Sequence, residues 1–111
     1  MAKKEINKLT QIIQDTLQQK HIDIDKIVIF GSYAKGNINV HSDIDMIVVS
    51  KKFRNKNLFQ RIKLIGNLHR ELVNRINKPF DIMYYSDDEW RKGNSLVINA
   101  AKEDGMIIYS N

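Results

Sequence analysis

Two short runs decide the fold: Lys26-Ile27-Val28-Ile29-Phe30-Gly31-Ser32, and, past a short polar stretch, Ser42-Asp43-Ile44-Asp45-Met46-Ile47-Val48-Val49. Lys26–Phe30 is brief, β-branched and apolar and stops at a glycine, which is the pattern of a buried strand. Ile44–Val49 is apolar on both faces and reads the same way. Gly31 and Gly36 bracket a short turn or a single helical turn, and Asn37–His41 reads as loop.

Outward from this centre the periodicity changes. Upstream, Ile6, Leu9, Ile12, Ile13 and Leu17 mark one stripe of an amphipathic helix over Lys4–Gln18. Downstream, Leu58, Ile62, Ile65, Leu68, Leu72 and Ile76 recur at helical spacing and predict one helix of about five turns, ended by Pro79. Phe80–Tyr85 is a third strand. Ser86 with Glu89 three residues on forms a capping box that opens a further helix, Ser95–Asp104 continues helical, and Gly105 stands where a left-handed C′ glycine belongs. Met106–Ser110 predicts a last strand. This alternation gives an α/β (α+β) domain, a small mixed β-sheet with helices packed on it.

The chain has 111 residues, too few for two cores and a linker, so residues 1–111 are expected to form a single domain. Without cysteine there is no disulfide framework and no thiolate metal site. No apolar run approaches the ~20 residues of a membrane span, and the N-terminus lacks the apolar core of a signal peptide. A cytoplasmic protein is expected. The formal charge of +5 is concentrated: residues 51–78 hold nine bases against Glu71 alone. Such a segment is either a solvated face or an attractor for phosphates or an acidic partner.

Chemistry points to the same centre. Glycine at a strand end lets a phosphate approach the backbone, and a helix start at Ser32 offers N–H donors. Asp43 and Asp45, two apart on a strand, project from one face about 6–7 Å apart. Two like charges that close favour a hard cation such as Mg²⁺, which takes carboxylates together with substrate phosphates. Asp81 interrupts an apolar strand: it is either a strand-start residue after Pro79 that faces water or a carboxylate that needs a partner or a metal. Beside Asp43 and Asp45 it would complete a metal site and deprotonate an attacking hydroxyl. His21, His41 and His69 make no metal-spaced pair. His41 is a loop position near the candidate site, and His69 reads as a core-edge histidine with a hydrogen-bond partner. Tyr33 either packs or meets substrate, and Trp90 reads as partial cover for the core.

Gly31-Ser32, ten residues, Asp43-x-Asp45 and a later strand Asp81 resemble the polymerase-β-type nucleotidyltransferase superfamily. The Gly-Ser/Asp-x-Asp spacing arises by chance in on the order of one in a thousand chains this size. With the Ala34-Lys35-Gly36 and Ser42 flanks and the closing Glu103–Tyr109, the chain from about Lys26 is similar to the minimal nucleotidyltransferases. The resemblance implies transfer of AMP from ATP to a hydroxyl with two Mg²⁺ ions. Gly31 and Ser32 would hold the triphosphate; Asp43, Asp45 and Asp81 would be the metal-binding and catalytic acids. Lys35 stands where relatives often carry arginine and would reach a phosphate as a point charge. It further implies a small all-helical HEPN-type toxin as partner, modified on a tyrosine, with this chain as antitoxin. The alternative is a non-catalytic antitoxin that neutralises by binding. RNA is a less favoured partner, because Phe53 and Phe59 are the only aromatics among the bases of residues 51–78.

Overall fold

A computed structural model describes residues 1–36, 38 and 42–111. His41, and with it most of the loop expected over Asn37–His41, lies outside the described residues. Four strands, β1 (Lys26–Phe30), β2 (Ile44–Val49), β3 (Phe80–Tyr85) and β4 (Met106–Ser110), form one sheet in the order β3-β2-β1-β4. All four sit within the bounds their apolar runs predict. β1 pairs antiparallel with β2 and β4, whereas β2 and β3 are parallel, so the sheet is mixed. The parallel ladder continues past both strand ends, through Ile44 N–H to Pro79 C=O and Ser50 N–H to Tyr85 C=O.

Helix α1 (Lys3–Gln18) buries Leu9, Ile12, Ile13 and Leu17, the stripe that its spacing predicts. It packs with Leu68 and Leu72 against Ile27, Ile29, Ile44, Met46 and Val48, which makes this the thick side of the core. The other face is covered more thinly. There Val28, Ile47 and Val49 meet Ala101, flanked by Phe30, Met83, Tyr85, Trp90 and Val97. Alternation places Asp45 and Asp81 on that thinner side, in line with Ile47 and Met83. Trp90 is partial cover, as expected, with Lys102 Nζ 5.3 Å from its ring centre.

Two expectations need correction. The helix expected over residues 58–76 is two: α3 (Leu58–Ile65) and α4 (Leu68–Ile76), after the single turn α2 (Ser32–Lys35). The apolar period runs through the junction, but Gly66 adopts φ 70°, ψ −123°, and Asn67 precedes the second helix without a side-chain cap bond. The chain turns there, and α3 buries Arg61 and Ile65 while Leu58 and Ile62 face outward. Gly105, expected in a left-handed C′ conformation, is extended at φ −78°. It is tight for another reason: a Cβ there would fall 2.2 Å from the Ala101 carbonyl oxygen and 3.0 Å from Val28 Cγ1.

The outer edge of β3 is closed by side chains. Arg61 Nη1 donates to the Tyr84 carbonyl (2.8 Å), and His69 Nε2 donates to the Phe80 carbonyl (3.0 Å). Arg61, counted in the sequence among the nine bases of residues 51–78, is buried, paired with Glu89 at 2.6 Å and stacked 5.9 Å from the Phe53 ring centre. Glu89 belongs to the predicted capping box of α5 (Asp87–Lys92). Its Oε1 accepts from Ser86 N–H, and Ser86 Oγ accepts from Glu89 N–H. Burial alone would push the Glu89 carboxyl up, but hydrogen bonds from Ser86 and Arg61 hold it below the usual carboxylate value. Ser86→Ala should therefore cost about 1 kcal/mol, readable as a lower urea midpoint with an unchanged slope. The last helix, α6 (Leu96–Asp104), is capped by Ser95 Oγ, which accepts from Val97 N–H and Ile98 N–H, and leads through Gly105 into β4. Among the described residues no helix is long and apolar enough to cross a membrane.

Candidate active site

Sheet register builds the site. Asp45 is the second residue of β2 and Asp81 the second of β3, and in the parallel ladder the two are direct partners. Neighbouring strands lie about 4.8 Å apart and side chains at paired positions share a face, so the two carboxylates stand side by side. Asp43 precedes β2 by one residue and two-residue alternation puts it on that same face. On its other flank Asp45 is paired with Phe30, the last residue of β1. Phe30 was read from the sequence only as a strand end. Its alternation with Val28 is the signal that sets it on the acidic face, where it walls one side of Asp45.

Gly31 then brings the turn down onto the acids. Its backbone adopts φ 69°, ψ −147°, a region essentially reserved for glycine. A Cβ built there would lie 2.2 Å from Asp45 Oδ2 and 3.1 Å from Asp45 Cγ. The glycine is thus in contact with the carboxylate, on the acids' side of the sheet. α2 starts at the next residue, and both Ala34 N–H and Lys35 N–H donate to Gly31 C=O at 3.1 Å. The amides of Ser32 and Tyr33, at the head of this turn, have no acceptor within it.

The electrostatics follow from this crowding. Partial burial pushes the Asp45 carboxyl above the usual carboxylate value, and the charges of Asp81 and then Asp43 push it the same way. Asp43 and Asp81 are themselves exposed. Among the described residues, no three carboxylate or imidazole groups are gathered closely enough to form a finished metal shell. The aspartates share one face and feel one another, a donor set of hard oxygens with uncompensated negative charge. That is the chemistry a divalent cation relieves, and the residues fit Mg²⁺.

Other candidates fall outside the site. Tyr33 is buried in the core beneath Lys78, whose Nζ stands 5.5 Å from its ring centre and 3.0 Å from Glu5 Oε2. Tyr33 therefore packs. Lys35 is exposed, with Nζ 3.9 Å from Asp104 Oδ2 at the end of α6. His69, at the β3 edge, holds the Phe80 carbonyl one residue from Asp81.

Known proteins resemble this chain in sequence and in fold. A Methanocaldococcus jannaschii protein named as a candidate protein adenylyltransferase is 30% identical over 69 residues, covering 62% of this chain. This chain spans about half of that relative's length, 46%. A chain of a toxin–antitoxin crystal structure with AMP-PNP superposes with a TM-score of 0.65 at 20% identity, over 96% of this chain and 73% of the other. A chain from the complex of a tri-AMPylated Shewanella oneidensis HEPN toxin with an MNT antitoxin gives 0.59 at 18% identity, over 100% and 74%. At those identities the two structures speak for the fold. The sequence model of the polymerase beta nucleotidyltransferase domain matches residues 11–111, nearly the whole chain, and the protein belongs to that family.

Proposed function

We propose that this protein transfers AMP from ATP to a hydroxyl of a protein partner, a tyrosine of a HEPN-type toxin, and so acts as its antitoxin. The observation that carries this reading is the register of Asp45 with Asp81, with Gly31 pressed against Asp45. The named relative and the two toxin–antitoxin neighbours support the partner class.

The reaction asks little covalent chemistry of the protein. The acceptor oxygen forms a bond to the α-phosphorus while the bond from that phosphorus to the β-bridging oxygen breaks, and pyrophosphate leaves. Bound Mg²⁺, two ions in this reading, would neutralise charge on the phosphates and align them. Asp43, Asp45 and Asp81 hold that charge on one face. Asp81, at the exposed end of the set, takes the proton from the acceptor hydroxyl. Gly31 lets the triphosphate approach the backbone, and the N–H groups of Ser32 and Tyr33 meet its oxygens. Phe30 and the thin apolar cover behind Asp45 lower the local dielectric, which strengthens each of these contacts.

Incubation with labelled ATP, Mg²⁺ and the product of the neighbouring gene should label that partner. Asp43→Asn should abolish labelling with the circular dichroism spectrum unchanged; equal labelling by the variant would defeat the reading. Neutralisation by binding alone is the second reading, favoured by the absence of a closed metal shell among the described residues. It predicts full protection from toxin by an Asp43/Asp45 double variant, where the transferase reading predicts loss of protection.

A further inference from the structure

The turn at Gly66 leaves one face of α3 without a counterpart in the fold. Leu58 is 62% exposed, Phe59 78% and Ile62 50%, and at spacings of one, three and four residues they form a single patch. Three large apolar side chains exposed together mark an interaction surface far more often than chance exposure does. The patch is not remote from the chemistry. Ile62 lines a groove of about 300 Å³ along the outer edge of β3 together with His69, Phe80, Asp81 and Ile82. A body seated on α3 therefore abuts the strand whose opposite face carries the Asp81 carboxylate.

The rim tells what kind of body. Lys56 lies beside Leu58 along the same strand edge, and Lys63 follows Ile62 directly. Among the described residues neither of these two is ion-paired, whereas Arg54, nearby, is already committed to Asp87 and Asp88. An apolar centre with an unneutralised basic rim matches a protein surface with an apolar centre and an acidic rim. RNA fits less well, because the centre of the patch is aliphatic apart from Phe59 and offers no platform of stacked aromatics.

Resting on the transferase reading above, we infer that the α3 face Leu58–Phe59–Ile62 docks the protein that carries the acceptor hydroxyl, and that this partner's matching surface is apolar with an acidic rim. Docking there delivers the acceptor to the Asp81 end of the site. The face sets recognition of the partner and leaves nucleotide binding untouched.

The experiment compares wild type with Phe59→Asp, Ile62→Asp and Lys63→Glu, using the product of the neighbouring gene as partner, labelled ATP and Mg²⁺. All three changes are on the surface, so thermal unfolding should be unaltered. Each variant should raise the KM for the partner at least tenfold with little change in kcat, and should bind ATP as wild type does. Raising salt should weaken wild-type docking and change the Lys63→Glu variant less. Equal KM values for wild type and all three variants would overturn the inference while leaving the transferase reading intact. Absence of labelling by wild type would overturn the transferase reading itself. A wild-type dimer that Phe59→Asp converts to monomer without changing KM would make the face a self-interface. Loss of single-stranded RNA binding with unchanged KM would make it an RNA surface. Either result overturns the inference.

Discussion

Asp45→Asn is expected to act in opposite directions on activity and stability. The change keeps the shape of the side chain and removes its charge. Neutralising a transferring phosphoryl group through metal-binding carboxylates is worth several kcal/mol, and each 1.36 kcal/mol is about a factor of ten. Transfer should therefore fall about 10²–10³-fold. Without metal, the same variant relieves a repulsion, since Asp45 is paired directly with Asp81 and pressed against Gly31. Like charges directly opposite on neighbouring strands cost about 0.2–1 kcal/mol, so the melting temperature should rise by about 1–6 °C at neutral pH. The pH dependence has a definite sign. The native Asp45 carboxyl holds its proton more tightly than the unfolded chain does, so its favourable contribution exists at low pH and is lost as pH rises through the raised value. The advantage of asparagine should shrink as the pH is lowered. A melting temperature that falls at neutral pH in EDTA would contradict the assignment of Asp45 to this crowded acidic face.

Gly31→Ala is expected to cost stability and transfer together. Non-glycine residues forced into sparsely populated regions such as φ 69°, ψ −147° cost about 1–3 kcal/mol. The added carbon would also fall 2.2 Å from Asp45 Oδ2 and 3.3 Å from Asp45 Cβ, so rotating the carboxylate aside does not remove the whole clash. Together these should cost about 2–4 kcal/mol, or about 10–25 °C in melting temperature. Any folded fraction should transfer poorly, because Asp45 has been displaced and the backbone pushed back from the phosphates. The control is Gly36→Ala, which has left-handed strain at φ 79° but nothing within 4 Å of a new Cβ. It should lose stability without the specific loss of transfer. Comparable transfer losses at the two glycines would deny Gly31 its place against the acids.

The four strands were legible because their ends carry the punctuation that forces them: Gly31 after Phe30, Pro79 before Phe80, Gly105 before Met106. The acids were legible as residue types and spacing. Their meeting was not, because a sequence carries no register, and it is the pairing of Asp45 with Asp81 that sets them side by side. The helical stretch after β2 misleads for a physical reason. Ile65 and Leu68 keep the apolar period across a junction that Gly66 and Asn67 break, so the stripe looks continuous while its first half rotates away from the core. Gly66-Asn67 inside a helical pattern was the available warning. The buried Arg61 had no such signal; only the structure shows a guanidinium exchanging water for Glu89, the Tyr84 carbonyl and the Phe53 ring.

Strand β3 is the border of its sheet, and the two acceptors on its outer side, Phe80 and Tyr84, already receive protons from His69 and Arg61. A fifth ribbon would have to displace both side chains to reach those carbonyls. Concentrated solutions should accordingly stay free of fibres and gels seeded from this side. Association here is left to side chains, which can discriminate among visitors in a way that backbone adhesion cannot.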